Sequence, residues 1–369
     1  MSCFITDYGV TGQDAVALED SIMQKDRPVT AGSKILGNFI SPFDATVVSR
    51  LQGSTYGIAG KTTMDEFGIS SIAGTQDEVL GAVKAVADGA SGYALCNDLF
   101  GRYRRQAAEN GCCYIHPTYG TVSRFGLIPL ASSMDQIGVV CKNLSDGFAL
   151  LAKIAGKDPN DGAMFPEESY CYASANKNIR VGIPASVVQK AGASGREAVE
   201  DFAGTFQTTN IELEHFEAYK HVMYILGCAE ISNNINRYDG VKFGYRAPSF
   251  RGVNDLYIKT RSECFGFDVK LSAIMGAMVL SQNHYVPYYE KAMKVRRLIK
   301  ESLRFDSYDI IALPCTISEN PYENLSLYAL PALAGLPSVS FMHKGHGIQL
   351  IANAKNESLL LSAWEGRAA

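Results

Sequence analysis

Asp309-Ile310-Ile311-Ala312-Leu313-Pro314 is an unbroken apolar run closed by a proline. Such a run reads as a strand with both faces buried, because a half-wet strand would alternate polar with apolar residues. Proline ends it by removing a ladder donor. Val181-Gly182-Ile183-Pro184 repeats the pattern. Ser338-Val339-Ser340-Phe341 and Gly347-Ile348-Gln349-Leu350-Ile351 flank Lys344-Gly345 and predict a hairpin. Between these runs the period changes. Residues 76–88 set Val79, Leu80, Val83, Val86 and Ala87 at helical spacing, and 211–236 and 284–303 are longer helical stretches. Strands interleaved with helices predict an α/β sandwich around a largely buried mixed sheet. No repeat, low-complexity tract or Pro/Ser linker divides the chain, so residues 1–369 are expected to form one domain.

The chain has 369 residues, 47% of them hydrophobic and 20% charged, which excludes disordered, collagen-like and coiled-coil classes. A net charge of −4 supplies no overall field toward nucleic acid or an anionic membrane. Nine scattered cysteines, an odd count, favour reduced thiols over a disulfide framework. The N-terminal residues lack the basic-then-apolar pattern of a signal peptide, and no apolar run approaches the roughly 20 residues of a membrane span. A soluble, cytoplasmic protein is expected. Lys291, Lys294, Arg296, Arg297 and Lys300 read as a solvated helix face. His343 and His346 read as part of a glycine-rich turn without metal-ligand partners. Cys112 and Cys113 read as core residues on opposite faces of a strand. No metal or cofactor is expected.

Several segments together resemble the amidase signature family, most closely the A (glutaminase) component of glutamyl-tRNA(Gln) amidotransferase. They include Phe43-Asp44-Ala45-Thr46-Val47-Val48, Gly60-Lys61-Thr62-Thr63-Met64-Asp65-Glu66-Phe67-Gly68, and Pro117-Thr118-Tyr119-Gly120-Thr121-Val122-Ser123-Arg124-Phe125-Gly126-Leu127. Others are Ala131-Ser132-Ser133-Met134-Asp135-Gln136-Ile137-Gly138, Arg237-Tyr238-Asp239-Gly240-Val241, Lys294-Val295-Arg296-Arg297 and Leu333-Ala334-Gly335-Leu336-Pro337. The resemblance runs from about Asp14 to Ala363. It implies an α/β/α sandwich and amide hydrolysis by a lysine and two serines, with backbone N–H groups of a glycine-rich turn holding the oxyanion.

The chemical words depart from that pattern. Where the resemblance implies the lysine, the chain reads Ala17-Leu18-Glu19-Asp20-Ser21, with Glu19 at the lysine position. The relay-serine word falls on Gln76-Asp77-Glu78-Val79-Leu80-Gly81-Ala82, with Glu78 at the serine. The nucleophile word reads Asp98-Leu99-Phe100-Gly101-Arg102-Tyr103-Arg104. It puts Arg102 at the nucleophile and leaves a degenerate oxyanion loop of Leu99, Phe100 and Gly101. A guanidinium has no usable lone pair. In a serine hydrolase, loss of the nucleophile costs on the order of 10⁶ in turnover. The basic pair implied for the glutamine carboxylate becomes Val269-Lys270-Leu271-Ser272, and the segment between Tyr322 and Leu333 is shortened.

Two expectations follow for these three positions. Glu19, Arg102 and Glu78 form a buried ion-paired plug in the old pocket, or they have drifted to local and surface roles. In the second case Thr75 and Glu78 form a helix capping box, and Arg102-Tyr103-Arg104-Arg105 is a surface patch. The functional expectation is a catalytically inactive scaffold or regulatory subunit, partnered by an active amidase-like subunit or by amidotransferase B- and C-like subunits, without direct nucleic-acid or membrane contact. One alternative is an amidase with chemistry rebuilt from Cys96, Tyr103 or His116. The other is a small-molecule module using Arg102 as an anion clamp.

Overall fold

The computed structural model describes residues 2–69, 78–174 and 178–367. Its strands are β1 (Phe4–Asp7), β2 (Ala15–Glu19), β3 (Gly57–Thr62), β4 (Tyr93–Asn97), β5 (Cys113–His116), β6 (Ile137–Cys141), β7 (Arg180–Pro184), β8 (Gln207–Ile211), β9 (Ile310–Pro314), β10 (Ser338–His343) and β11 (His346–Ala352). They join in one mixed sheet in the order β1-β3-β2-β4-β6-β5-β10-β11-β9-β7-β8. β2 lies parallel to β3 and β4, β7 lies parallel to β8 and β9, and the central pairings from β4 to β9 are antiparallel.

Alternation along each strand sends neighbours to opposite faces. On β9, Ile310 and Ala312 enter one hydrophobic layer with Phe148, Phe202 and Leu360, while Ile311 and Leu313 enter the other with Tyr219, Met223 and Tyr328. This explains why β9 carries no polar residue: both of its faces are covered. Each of the fully buried isoleucine and leucine side chains of β9 contributes about 1.5–3 kcal/mol. Cys112 and Cys113 likewise enter different layers. The hairpin turns at Lys344 and Gly345, both with positive φ (46° and 81°) as a two-residue turn between twisted antiparallel strands requires.

Boundaries differ from the sequence expectation in three places. The helix expected over 76–88 spans Gly81–Ala87, with Leu80 at its N-cap and Leu80, Val83 and Val86 buried; Val79 is exposed. The stretch expected to be helical from 211 begins at Phe216, because Gln207–Ile211 forms the polar, exposed edge strand β8. The 284–303 stretch opens with a wider π-type segment, Tyr285–Glu290, before the α-helix Lys291–Glu301. Of Lys291, Lys294, Arg296, Arg297 and Lys300, all expected on a solvated face of that helix, Lys291, Lys294, Arg297 and Lys300 are exposed. Arg296 departs from that face: its Nε donates to Leu333 O at 2.6 Å and its Nη1 to Ser133 Oγ at 2.9 Å.

Candidate functional site

β2 ends inside the protein, and Glu19, its last residue, has no exposed surface. Its carboxylate is fully engaged. Oε1 accepts the Tyr103 hydroxyl at 2.6 Å, and Oε2 accepts Asn97 N at 3.0 Å together with the Ser21 hydroxyl. Burial pushes the Glu19 carboxyl up to about 7, against the lowering pull of those three bonds. Across the parallel ladder, β3 places Lys61 opposite Leu18, the residue before Glu19. Lys61 is 1% exposed and donates Nζ to Ile22 O. Burial lowers it to about 8, and the charges of Asp20 and Glu19 pull it partly back.

The loop after β4 carries the second group of expected residues. Leu99 and Phe100 are buried, and Phe100 stacks on Tyr224 with ring centroids 5.9 Å apart. Gly101, at φ 82°, turns the chain into the helix Arg102–Glu109. A Cβ there would stand 2.1 Å from Tyr328 Cγ, so glycine is required by both conformation and space. Asp98, six residues before Arg104, closes this turn. Its Oδ1 accepts Tyr103 N at 3.2 Å, and its Oδ2 accepts Arg104 N at 3.0 Å and Arg104 Nε at 2.8 Å. Arg104 is wholly buried and also donates Nη1 to Tyr328 O at 3.0 Å.

Arg102, Glu19 and Glu78 do not form the expected three-way plug. Arg102 is 8% exposed and pairs with Asp65, while its Nη2 donates to the backbone carbonyl of Glu78 at 2.7 Å. The Glu78 side chain is exposed, so this residue contributes main chain and not charge. Glu19 takes hydroxyl and amide donors instead of a guanidinium. The physical reason is position: the arginine leaves the first turn of its helix toward Asp65 and Glu78, whereas Tyr103, the next residue, points into the sheet at Glu19. The surface-patch alternative fails as well, since Arg102, Tyr103 and Arg104 are all buried. Glu78 precedes the Leu80 N-cap and cannot occupy the third helical position of a capping box; Thr75 lies outside the described residues.

Glu19, Ser21, Met64, Phe67, Asn97 and Leu99 help line a cavity of about 10 Å³. That is near the lower limit for a single water molecule. Cys96 and His116 offer no poised replacement. Burial raises the Cys96 thiol well above its ordinary range, the opposite of what a reactive thiolate needs. His116 is held far below its ordinary value by burial and by the Arg104 charge, and its ring nitrogens have no hydrogen-bond partner among the described residues. The segment after Tyr322, expected to be shortened, lies within the helix Pro321–Ala334, whose Tyr328 packs against Gly101. Lys270 donates to Ser262 O at 2.8 Å on the surface.

Three residues that organise this region do not stand out as site groups in the sequence: Lys61, Asp65 and Ser21. Only Lys61 carries a usable signal, as a lysine inside an otherwise uncharged strand, Gly57–Thr62.

The family model described as Amidase matches residues 15–334. The chain is 38% identical over 367 residues to the A component of glutamyl-tRNA(Gln) amidotransferase from Lachnoclostridium phytofermentans, covering 88% of this chain and 74% of the relative. It is 36% identical over 390 residues to the corresponding Listeria monocytogenes protein, covering 94% and 81%. The crystal structure of the A component from Thermotoga maritima superposes with a TM-score of 0.75 at 23% identity, covering 98% of this chain and 85% of that one. A chain from a vestigial protein complex related to an s-triazine catabolic enzyme superposes at 0.76 and 22% identity, covering 96% and 82%. The chain belongs to the amidase signature family and has its α/β fold with a large mixed sheet.

Proposed function

We propose that this chain is a catalytically inert relative of the amidotransferase A component that acts as a scaffold or regulatory subunit in the cytoplasm. The observation that carries the reading is the state of Arg102. At the position where the resemblance implies the attacking serine stands a guanidinium bound by Asp65 and the Glu78 carbonyl. The nearby carboxylate of Glu19 is saturated by three donors, and the cavity it lines is about 10 Å³. Among the described residues, that cavity has no room for an amide substrate. The relatives are named as one component of an amidotransferase, so a protein partner of the B or C type, or an active amidase-like subunit, is the natural company for a fold kept without its chemistry. Co-expression with B- and C-type subunits is expected to yield a complex that survives size-exclusion chromatography. A chain that elutes alone in the presence of every such subunit contradicts the scaffold role.

A second reading has one observation in its favour. The Ser21 hydroxyl donates to Glu19, a carboxyl with a value of about 7, and a hydroxyl beside a base is the pairing that nucleophilic catalysis uses. Against it, Ser21 is 4% exposed. The anion-clamp reading loses its free guanidinium to Asp65.

A further inference from the structure

A second, open cleft of about 350 Å³ lies between the 124–135 segment and the short 3-10 turn Ile235–Arg237 that follows the helix Phe216–Asn234. Its volume falls within the roughly 300–1,000 Å³ of small-molecule sites. We propose that this cleft binds a small carboxylate with an apolar body.

The polar end of the cleft is held in place by Asn234, which is 8% exposed. Asn234 Oδ1 accepts Arg237 Nη2 at 2.7 Å, and its backbone carbonyl accepts Arg237 Nε at 2.8 Å. Its Nδ2 donates to Leu130 O at 2.9 Å and to Ser132 Oγ at 3.3 Å. One buried amide therefore fixes both Arg237 and Ser132 on the cleft lining. Arg237 makes no ion pair among the described residues, and its Nη1 and the Ser132 hydroxyl proton meet no protein acceptor among them. A carboxylate can take both, in the charge-assisted geometry that guanidinium favours.

The acids in the lining argue for an anion over an amine. Asp161 turns Oδ1 and Oδ2 onto Arg124, and Asp135 turns its two oxygens onto Asn97, Leu130 and Ala131. These carboxylates are committed to protein donors, which leaves an ammonium group without a free carboxylate and with Arg237 to repel it. The lining also carries apolar side chains. Phe43, 38% exposed, stacks on Phe125 with centroids 5.0 Å apart, and Met23 lies beside them. A partly exposed aromatic pair that shares one lining with an arginine calls for a ligand with one charged end and one flat or branched hydrocarbon end.

The test titrates 3-phenylpropionate and its uncharged isostere, 3-phenylpropionamide, into the full chain carrying 13C-methyl methionine. The Met23 methyl, assigned through Met23→Leu, is the reporter. The expected result is a saturable shift with the acid, affinity at least about tenfold weaker with the amide, and Arg237→Gln reducing the acid to the level of the amide. Equal affinity for acid and amide, a shift that does not saturate, or an Arg237→Gln protein that binds the acid unchanged overturns the proposal. The acid–amide comparison uses the unaltered chain, so the test stands even if Arg237→Gln fails to fold.

Discussion

Arg104→Ala lowers the unfolding free energy by about 3–5 kcal/mol, the cost of leaving a buried carboxylate without its partner. The partner is Asp98, 2% exposed and joined to Arg104 by Nε and by backbone N–H. Removing the guanidinium also empties the space over the Tyr328 ring and frees the Tyr328 carbonyl. Arg105→Ala, one residue on, is the control. Its ion pair with Glu109 lies nearer the surface, with 19% and 38% of the two side chains exposed, and an exposed i,i+4 pair contributes about 0.3–0.5 kcal/mol. Urea unfolding of the two variants measures the contrast. The pair Asp98→Asn with Arg104→Met should recover much of the loss, since replacing both members of a buried ion pair is far less costly than stranding one. Equal, small effects at 104 and 105 would mean that the Asp98–Arg104 lock does not organise the turn.

Glu19→Gln changes how stability depends on pH. Burial raises the Glu19 carboxyl from 4.5 to about 7 in the folded chain. Between those values the folded protein holds a proton that the unfolded chain has released. The stability that Glu19 contributes is therefore fully present below 4.5 and is lost as pH rises through about 7. Lys61 works in the opposite direction. Its amine is lowered from 10.5 to about 8, so its contribution is present above 10.5 and is lost as pH falls through about 8. The two together predict a stability minimum between about 7 and about 8. Glutamine keeps the shape of the protonated acid: its oxygen can accept Ser21 and Asn97 while its amide donates to the Tyr103 oxygen. At about 1.4 kcal/mol per pH unit, and with some attraction to Lys61 lost, the variant gains about 2–3 kcal/mol over the parent near neutral pH. The gain disappears toward pH 4.5, the ordinary value of this carboxyl. Chemical denaturation at a series of pH values checks this. Parallel pH profiles for the two proteins would show that Glu19 does not titrate in this range.

The strands after residue 142 are more legible than those before it, which the sequence leaves unassigned apart from the one at Cys113. β7 and β9 announce themselves by apolar runs closed with proline, and the β10–β11 hairpin by its Lys-Gly turn. β8 is not legible, because Gln207-Thr208-Thr209-Asn210-Ile211 is an exposed edge strand with no buried face to impose alternation. The arginine run at 102–105 misleads for a different reason. Three guanidinium groups in four residues look solvated, yet two of them fold back onto Asp65 and Asp98, and only the tertiary arrangement brings Asp65 close. Glu19 is legible as a departure from the family word. Its true partners, Tyr103 and Asn97, come from the helix after β4 and from β4 itself, 84 and 78 residues away. Lys61 shows in the sequence only as a lysine inside an otherwise uncharged strand, because its burial depends on groups that the local sequence does not display.

Ammonia release from glutamine, asparagine and simple primary amides, by the chain alone and with B- and C-type subunits present, is the most direct measurement of the central claim. Release no faster than from a protein-free control is the predicted result, with Ser21→Ala and Arg102→Ser leaving it unchanged. Turnover that rises in proportion to this chain and falls on Ser21→Ala would contradict it, and would place a working nucleophile beside Glu19.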